Sequence, residues 1–133
     1  MKKVYFVHDQ QENPAPRAQF LEQVGYELRL FTDGNDCLDA IREDKPDVVL
    51  LDILIEGDNG FEFCRTLRRM WGPNELPVIL TSKIYRARTF RDEAKQAGAQ
   101  AYFLRPVKLE ELAREIADLC GADLPPMLGG EAA

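Results

Sequence analysis

Two aspartates each close a short apolar run: VYFV is followed by His8-Asp9, and VVLL runs into Asp52. A third run, VIL, leads into Thr81-Ser82-Lys83, and a fourth, AYFL, into Arg105-Pro106. Brought together, these residues supply two carboxylates, a hydroxyl and a cationic side chain. Adjacent carboxylates repel and raise each other's pKa unless a cation neutralises them. Mg²⁺ takes one or two carboxylates, keeps several waters and shares oxygens with a phosphoryl group. An aspartate can attack phosphorus to form an acyl phosphate, and hydroxyl and cation then meet the charge of the transferred group. A single Asp at a strand end is more often a turn former or a helix cap. The chemistry therefore rests on the joint pattern.

The elements that must position these residues follow from periodicity. Val4–Val7, Glu27–Phe31, Asp47–Asp52, Pro77–Thr81 and Gln100–Leu104 read as strands. The run from Val48 to Leu51 has no polar alternation, which suits a strand covered by helices on both faces. Between the strands, apolar residues recur at spacings of three and four, as in Phe20/Leu21/Val24, Ala87/Phe90/Ala94/Ala97 and Leu109/Leu112/Ile116/Leu119. Asn13-Pro14 predicts a helix start, with Asn as cap and Pro in the first turn. Gly25, Gly72, Gly98 and Gly121 each follow a helical stretch, where a left-handed residue is wanted. Five β-α units predict a single open five-stranded parallel sheet with right-handed crossovers and helices on both faces, an α/β fold of flavodoxin-like type. With strand order 2-1-3-4-5, strands one and three are neighbours and Asp9 meets Asp52. Ligands of such sheets bind beyond the carboxyl ends of the strands, near the point where strand order reverses.

Composition narrows the function classes. A chain of 133 residues, 45% hydrophobic and 30% charged, has the make-up of one globular domain with one core. Residues 1–121 are expected to form that domain, and 122–133 (ADLPPMLGGEAA) a flexible tail or the start of a linker. Apolar runs such as Val48–Leu51 are far too short to span a bilayer, and no signal-peptide stretch follows Met1-Lys2-Lys3. A cytoplasmic location is the expectation. The formal charge of −6 argues against direct nucleic-acid contact. Cys37, Cys64 and Cys120 form no CxxC pair and are expected to pack as small hydrophobes. Neither a Walker A sequence nor GxGxxG is present, so nucleotide sites are not expected.

Over roughly residues 3–120 the sequence resembles the receiver domain of two-component response regulators. The residues that carry the resemblance are VYFVHD (4–9), VVLLDILIEGDNGFEF (48–63), PVILTSK (77–83) and AYFLRPVKLEEL (101–112). Gly60 stands eight residues after Asp52, and Ser82 five after Pro77. The resemblance implies that Asp52 is the phosphoacceptor and that Asp9, Asp52 and the backbone carbonyl of Leu54 hold Mg²⁺, with Mn²⁺ as a substitute. It implies that Ser82 contacts the phosphoryl group, that Tyr102 is the aromatic switch and that Arg105 is the cationic partner. It further implies a sensor histidine kinase or phosphotransfer protein as donor and a downstream protein or output domain as target. The signal would leave through helix four, strand five and helix five.

Three positions depart from the family pattern. His8 replaces an acidic residue, which lowers Mg²⁺ affinity or makes imidazole a further metal ligand. Arg105 replaces the usual Lys, keeping the charge but not the compact ammonium. Lys83 stands where a small residue is usual, pointing either to solvent or into the phosphoryl site. Apolar Leu54 and Ile84, two residues after Asp52 and Ser82, imply a long-lived phosphoryl state. Helix four is basic (Arg86, Arg88, Arg91, Lys95) and helix five acidic (Glu110, Glu111, Glu115, Asp118). These are either two solvated faces or a reciprocal homodimer contact. The competing reading is a pseudo-receiver, a protein-interaction module that works without phosphorylation. A stand-alone enzyme of the aspartate-nucleophile phosphatase kind needs a second Asp two residues after the nucleophile. Leu54 stands there, so the chain is expected to assist its own phosphoryl transfer and not to be an enzyme.

Overall fold

The computed structural model describes residues 2–83 and 88–121. Helices and strands alternate in the order β1 (Lys3–Val7), α1 (Ala15–Gln23), β2 (Glu27–Phe31), α2 (Gly34–Glu43), β3 (Val48–Asp52), α3 (Gly60–Met70), β4 (Val78–Ser82), α4 (Arg88–Ala97), β5 (Ala101–Leu104) and α5 (Leu109–Cys120). The five strands pair in parallel in the order β2-β1-β3-β4-β5, which is the sheet expected from the sequence. A separate antiparallel ladder of two residues a side joins Leu54–Ile55 to Asp58–Asn59, just after β3.

Alternation along each strand divides the core in two. Tyr5, Val7, Val49, Leu51, Val78, Leu80 and Tyr102 pack with α2, α3 and α4 residues such as Ile41, Leu67 and Ala94. Val4, Phe6, Val48, Leu50 and Ile79 pack with Leu21 of α1 and Leu112 and Ile116 of α5. All five residues of β3 are buried, which is why its sequence is a continuous apolar run ending in one carboxylate. Asp52 follows Leu50 by two and Thr81 follows Ile79 by two, so both belong to the α1–α5 face. Ser82 and Tyr102 belong to the other.

The helix ends refine the sequence reading. α1 begins one residue later than expected: Pro14 is the cap residue, while Asn13 Oδ1 accepts from the Ala15 N–H at 3.0 Å. Gly25, Gly98 and Gly121 take positive φ, but Gly72 does not. α3 instead ends in extended backbone at Trp71, and Gly72 N–H donates to the Glu75 carboxylate at 2.8 Å. Cys37 and Cys64 are fully buried, and burial pushes their thiols up to about 12 and about 11. Cys120 is half-buried at the end of α5. Ile84, Arg86, Ala87 and the 122–133 segment lie outside the described residues.

Candidate functional site

Asp52 ends β3 with no solvent exposure, at the C-terminal edge of the sheet where β1 and β4 flank it. Its immediate surroundings are a set of donors. Arg17 Nη1 and Nη2 donate to Oδ1 and Oδ2 at 2.8 and 2.9 Å, a bidentate pair. The Asp9 N–H donates to Oδ2 at 3.0 Å, and Thr81 Oγ1 to Oδ1 at 2.5 Å. Arg105 Nη2 is 3.9 Å from Oδ2. Burial by itself raises the pKa of Asp52. The hydrogen bonds and charge of Arg17, supported by Arg105 and Thr81, outweigh it and hold the carboxyl below its ordinary value.

β1 and β3 being neighbours brings Asp9 to Asp52, as expected from the sequence. The two meet through the Asp9 backbone, while the Asp9 carboxylate accepts from the Gln11 N–H at 2.9 Å. His8 turns its ring edge-on to Phe6, with centroids 5.5 Å apart, and its Nδ1 is 3.1 Å from the Asp9 carbonyl. Leu54 lies in the short ladder opposite Asn59. Asp9, Gln10, Gln11, Leu54, Ile55 and Glu56 line a cleft of about 250 Å³.

Ser82 is buried on the α3–α4 face, and its carbonyl accepts from the Arg105 N–H at 2.8 Å. The hydroxyl that donates to Asp52 at 2.5 Å is that of Thr81, because Asp52 and Thr81 are register partners between β3 and β4. Tyr102 is turned inward, its ring stacked on Phe61 at 6.5 Å with the Arg91 guanidinium 5.8 Å from its centroid. Lys83 is exposed to solvent, as one of the two readings expected, and does not reach Asp52. Its Nζ pairs with Glu12 at 3.0 Å, and Glu12 also accepts from Arg105 Nη1. Burial raises the pKa of Glu12, but bonds from Lys83 and Arg105 outweigh it and lower the carboxyl overall. The peptide bond between Arg105 and Pro106 is cis.

Three participants escaped the sequence reading: Arg17, Thr81 and Glu12. Arg17 had a readable signal. Counting back four residues from Leu21 along the inward stripe of α1 reaches Arg17, a charge on a face that should be apolar. Thr81 stood in the Thr81-Ser82-Lys83 strand end, but Ser82 was assigned the hydroxyl role, and strand register decides between them; Glu12 lies in a loop and has no local signal.

The structure tests the expected Mg²⁺ site on its donors. An ionised carboxylate offers about four lone-pair positions. Arg17 takes two, Thr81 one and the Asp9 N–H one. A divalent ion that needs Asp52 as a ligand does not fit while Arg17 holds it. Among the described residues no three carboxylate, imidazole or thiol groups gather into a metal-binding cluster.

Comparison with known proteins agrees with this architecture. The BeF3-activated N-terminal receiver domain of RstA from Klebsiella pneumoniae is 27% identical, with 89% of this chain and 97% of that one covered and a TM-score of 0.77. A DNA-binding response regulator of the LuxR family from Staphylococcus aureus is also 27% identical, over 90% of this chain and 99% of that one, with a TM-score of 0.77. The receiver domain of a sensor histidine kinase from Pseudomonas aeruginosa, which has a magnesium ion coordinated in its active site cleft, shares the fold at 23% identity, 91% and 98% coverage and a TM-score of 0.79. Residues 4–117 match the family model of the response regulator receiver domain, and with the five-stranded 2-1-3-4-5 sheet and Asp52 at its C-terminal edge the chain belongs to that family.

Proposed function

We propose that the chain is a response-regulator receiver that accepts a phosphoryl group on Asp52 from a histidine kinase or phosphotransfer protein. The observation that carries this reading is the place of Asp52 at the end of β3, within the family match over residues 4–117, with the Thr81 hydroxyl and the Arg105 guanidinium beside it. A cavity of about 450 Å³ is lined by Arg17 and Arg105, which contact Asp52, together with Glu12, Pro16, Lys83 and Val107 among others; a donor using it would have to pass those two side chains.

In the transfer, one Asp52 oxygen forms the bond to phosphorus as the donor's nitrogen–phosphorus bond breaks. The electron pair stays on the departing imidazole, which takes up a proton. Arg17 must first release that oxygen, because a nucleophile needs a free lone pair. Its guanidinium then turns to the phosphoryl oxygens alongside Arg105, and both meet the charge of the group in transit. The chain assists its own modification and turns over no other substrate. The output face is α4–β5–α5, with Arg88, Arg91 and Lys95 exposed on α4 and Glu110, Glu111 and Asp118 exposed on α5. Those opposite charges suit a reciprocal homodimer or a downstream partner of mixed charge. The domain works in the cytoplasm, where its donors act. No helix among the described residues is long and apolar enough to cross a membrane.

A second reading is favoured by one observation: the bidentate Arg17 pair leaves Asp52 no free lone pair, which suits an interaction module that works without phosphorylation. Incubation with a small acyl-phosphate donor, and with a phosphohistidine protein, decides between the two. Intact-mass analysis should show addition of one phosphoryl group, absent from Asp52→Asn. No Asp52-dependent addition from either donor gives the decision to the interaction module.

A further inference from the structure

We propose that Arg17 is a resident counter-cation that takes the place of a divalent metal at Asp52, so that the resting domain does not bind Mg²⁺ there and gains affinity for it when Arg17 is removed. The inference rests on Asp52 being the centre of the site, and it stands whether or not a phosphoryl group is accepted.

Charge is the first argument. The guanidinium of Arg17 bonds both oxygens of Asp52, and that of Arg105 stands 3.9 Å from Oδ2. The charge of Asp52 is met without any ion. The Arg17 side chain is 9% exposed and that of Asp52 fully buried, so their attraction is poorly screened and a divalent ion must compete with it for the carboxylate.

Placement is the second. Arg17 lies in the first turn of α1, two residues into the helix from Ala15. A cation there opposes the helix dipole, and a buried guanidinium is costly without a partner. Asp52 is the partner that offsets both. The Phe6 ring lies under the guanidinium, its centroid 4.4 Å from the central carbon, and adds a cation–π contact to the pair. Pro14 caps this turn and Pro16 lies within it just before Arg17, and neither carries a backbone N–H. The α1 terminus therefore presents Asp52 with one side-chain cation and few backbone donors.

Ligand capacity is the third. Every lone-pair position of Asp52 is filled by the four donors described above, so an incoming metal must displace Arg17 before it can bind. Removing Arg17 frees two of those positions and leaves a buried carboxylate seeking a cation, next to the cleft lined by Asp9 and Leu54.

The test titrates the full chain with MgCl2, following heat of binding and the thermal midpoint, with NaCl at matched ionic strength as control. Arg17→Met should bind Mg²⁺ at least about tenfold more tightly than wild type, and Mg²⁺ but not NaCl should raise its midpoint. Adding Asp52→Asn to Arg17→Met should abolish both effects. If Arg17→Met does not fold, Arg17→Lys replaces it, because a compact ammonium lacks the planar fork that makes two parallel bonds to the carboxylate and holds Asp52 less completely. Equal Mg²⁺ affinity in wild type and variant, or a variant with no Mg²⁺-specific rise, overturns the proposal. A domain that fails to accept phosphoryl groups yet shows this difference leaves it standing.

Discussion

Thr81 and Asp52 lie side by side in the parallel register of β4 and β3, and the threonine hydroxyl donates to the carboxylate at 2.5 Å with both residues fully buried. The same hydroxyl is 3.4 Å from Arg17 Nη1, so one side chain braces both halves of the ion pair. Replacing it by the isosteric Val leaves Asp52 Oδ1 short of a donor. Thr81→Val should lose about 1–3 kcal/mol in urea unfolding at neutral pH. Thr81→Ser should lose distinctly less, and equal losses would show that the methyl group and not the hydroxyl matters.

Removing the carboxylate strands a buried cation. Asp52→Ala leaves Arg17 facing a buried gap, while Arg105 keeps its pair with Glu12, and the unfolding free energy should fall by about 3–5 kcal/mol. Asp52→Asn keeps an acceptor oxygen and should fall by less. Combining Asp52→Asn with Arg17→Met removes both charges, and the double variant should be more stable than the sum of the two single losses requires. Strict additivity in chemical denaturation would count against a coupled pair.

Acid stability carries the sign of the same pair. Asp52 and Glu12 have folded-state pKa values below their ordinary 3.8 and 4.5. Each therefore contributes stability that is present above its unfolded value and lost as pH falls through its folded one. Wild type should hold its stability from about pH 7 to about pH 5 and lose it progressively below about pH 4. The Asp52→Asn variant should show a shallower acid loss in urea midpoints measured across this range. Superimposable acid limbs for the two proteins would mean that Asp52 is not held low.

Gly60 opens α3 against the end of β3. A Cβ built on it would stand 2.7 Å from the Asp52 carbonyl oxygen and 2.9 Å from Ile53 Cα, both backbone atoms. Those atoms cannot give way without moving Asp52. Gly60→Ala should lose about 1–3 kcal/mol by overpacking and slow phosphoryl uptake from an acyl-phosphate donor. A variant with wild-type uptake and stability would show that the loop absorbs the methyl group freely.

Much of this molecule was readable along the chain. The continuous apolar run at β3 announced a strand covered on both faces, and the strand ends fell within a residue of those expected because turn residues bound each apolar run. Gly60 was singled out by its spacing from Asp52, and the structure shows the steric reason. One misreading was local. Gly72 was expected to be left-handed, but the chain leaves α3 through an extended Trp71. Lys83 was weighed between solvent and the phosphoryl site, and it stands exposed, with an added pair to Glu12, a loop residue with no signal of its own.

By itself the sequence determined the order of strands and helices, the α/β sheet and the set of residues at its carboxyl edge. Hydrophobic period and turn chemistry act over a few residues and can be read from one chain. What only tertiary structure decided is what Asp52 touches. Arg17 lies 35 positions away and Thr81 29, and both meet Asp52 because helix α1 crosses β1 and because β4 pairs with β3 in one particular register. Whether a buried carboxylate is met by a metal or by a guanidinium is settled by which charge the packing of those elements delivers to it. Here it delivers Arg17.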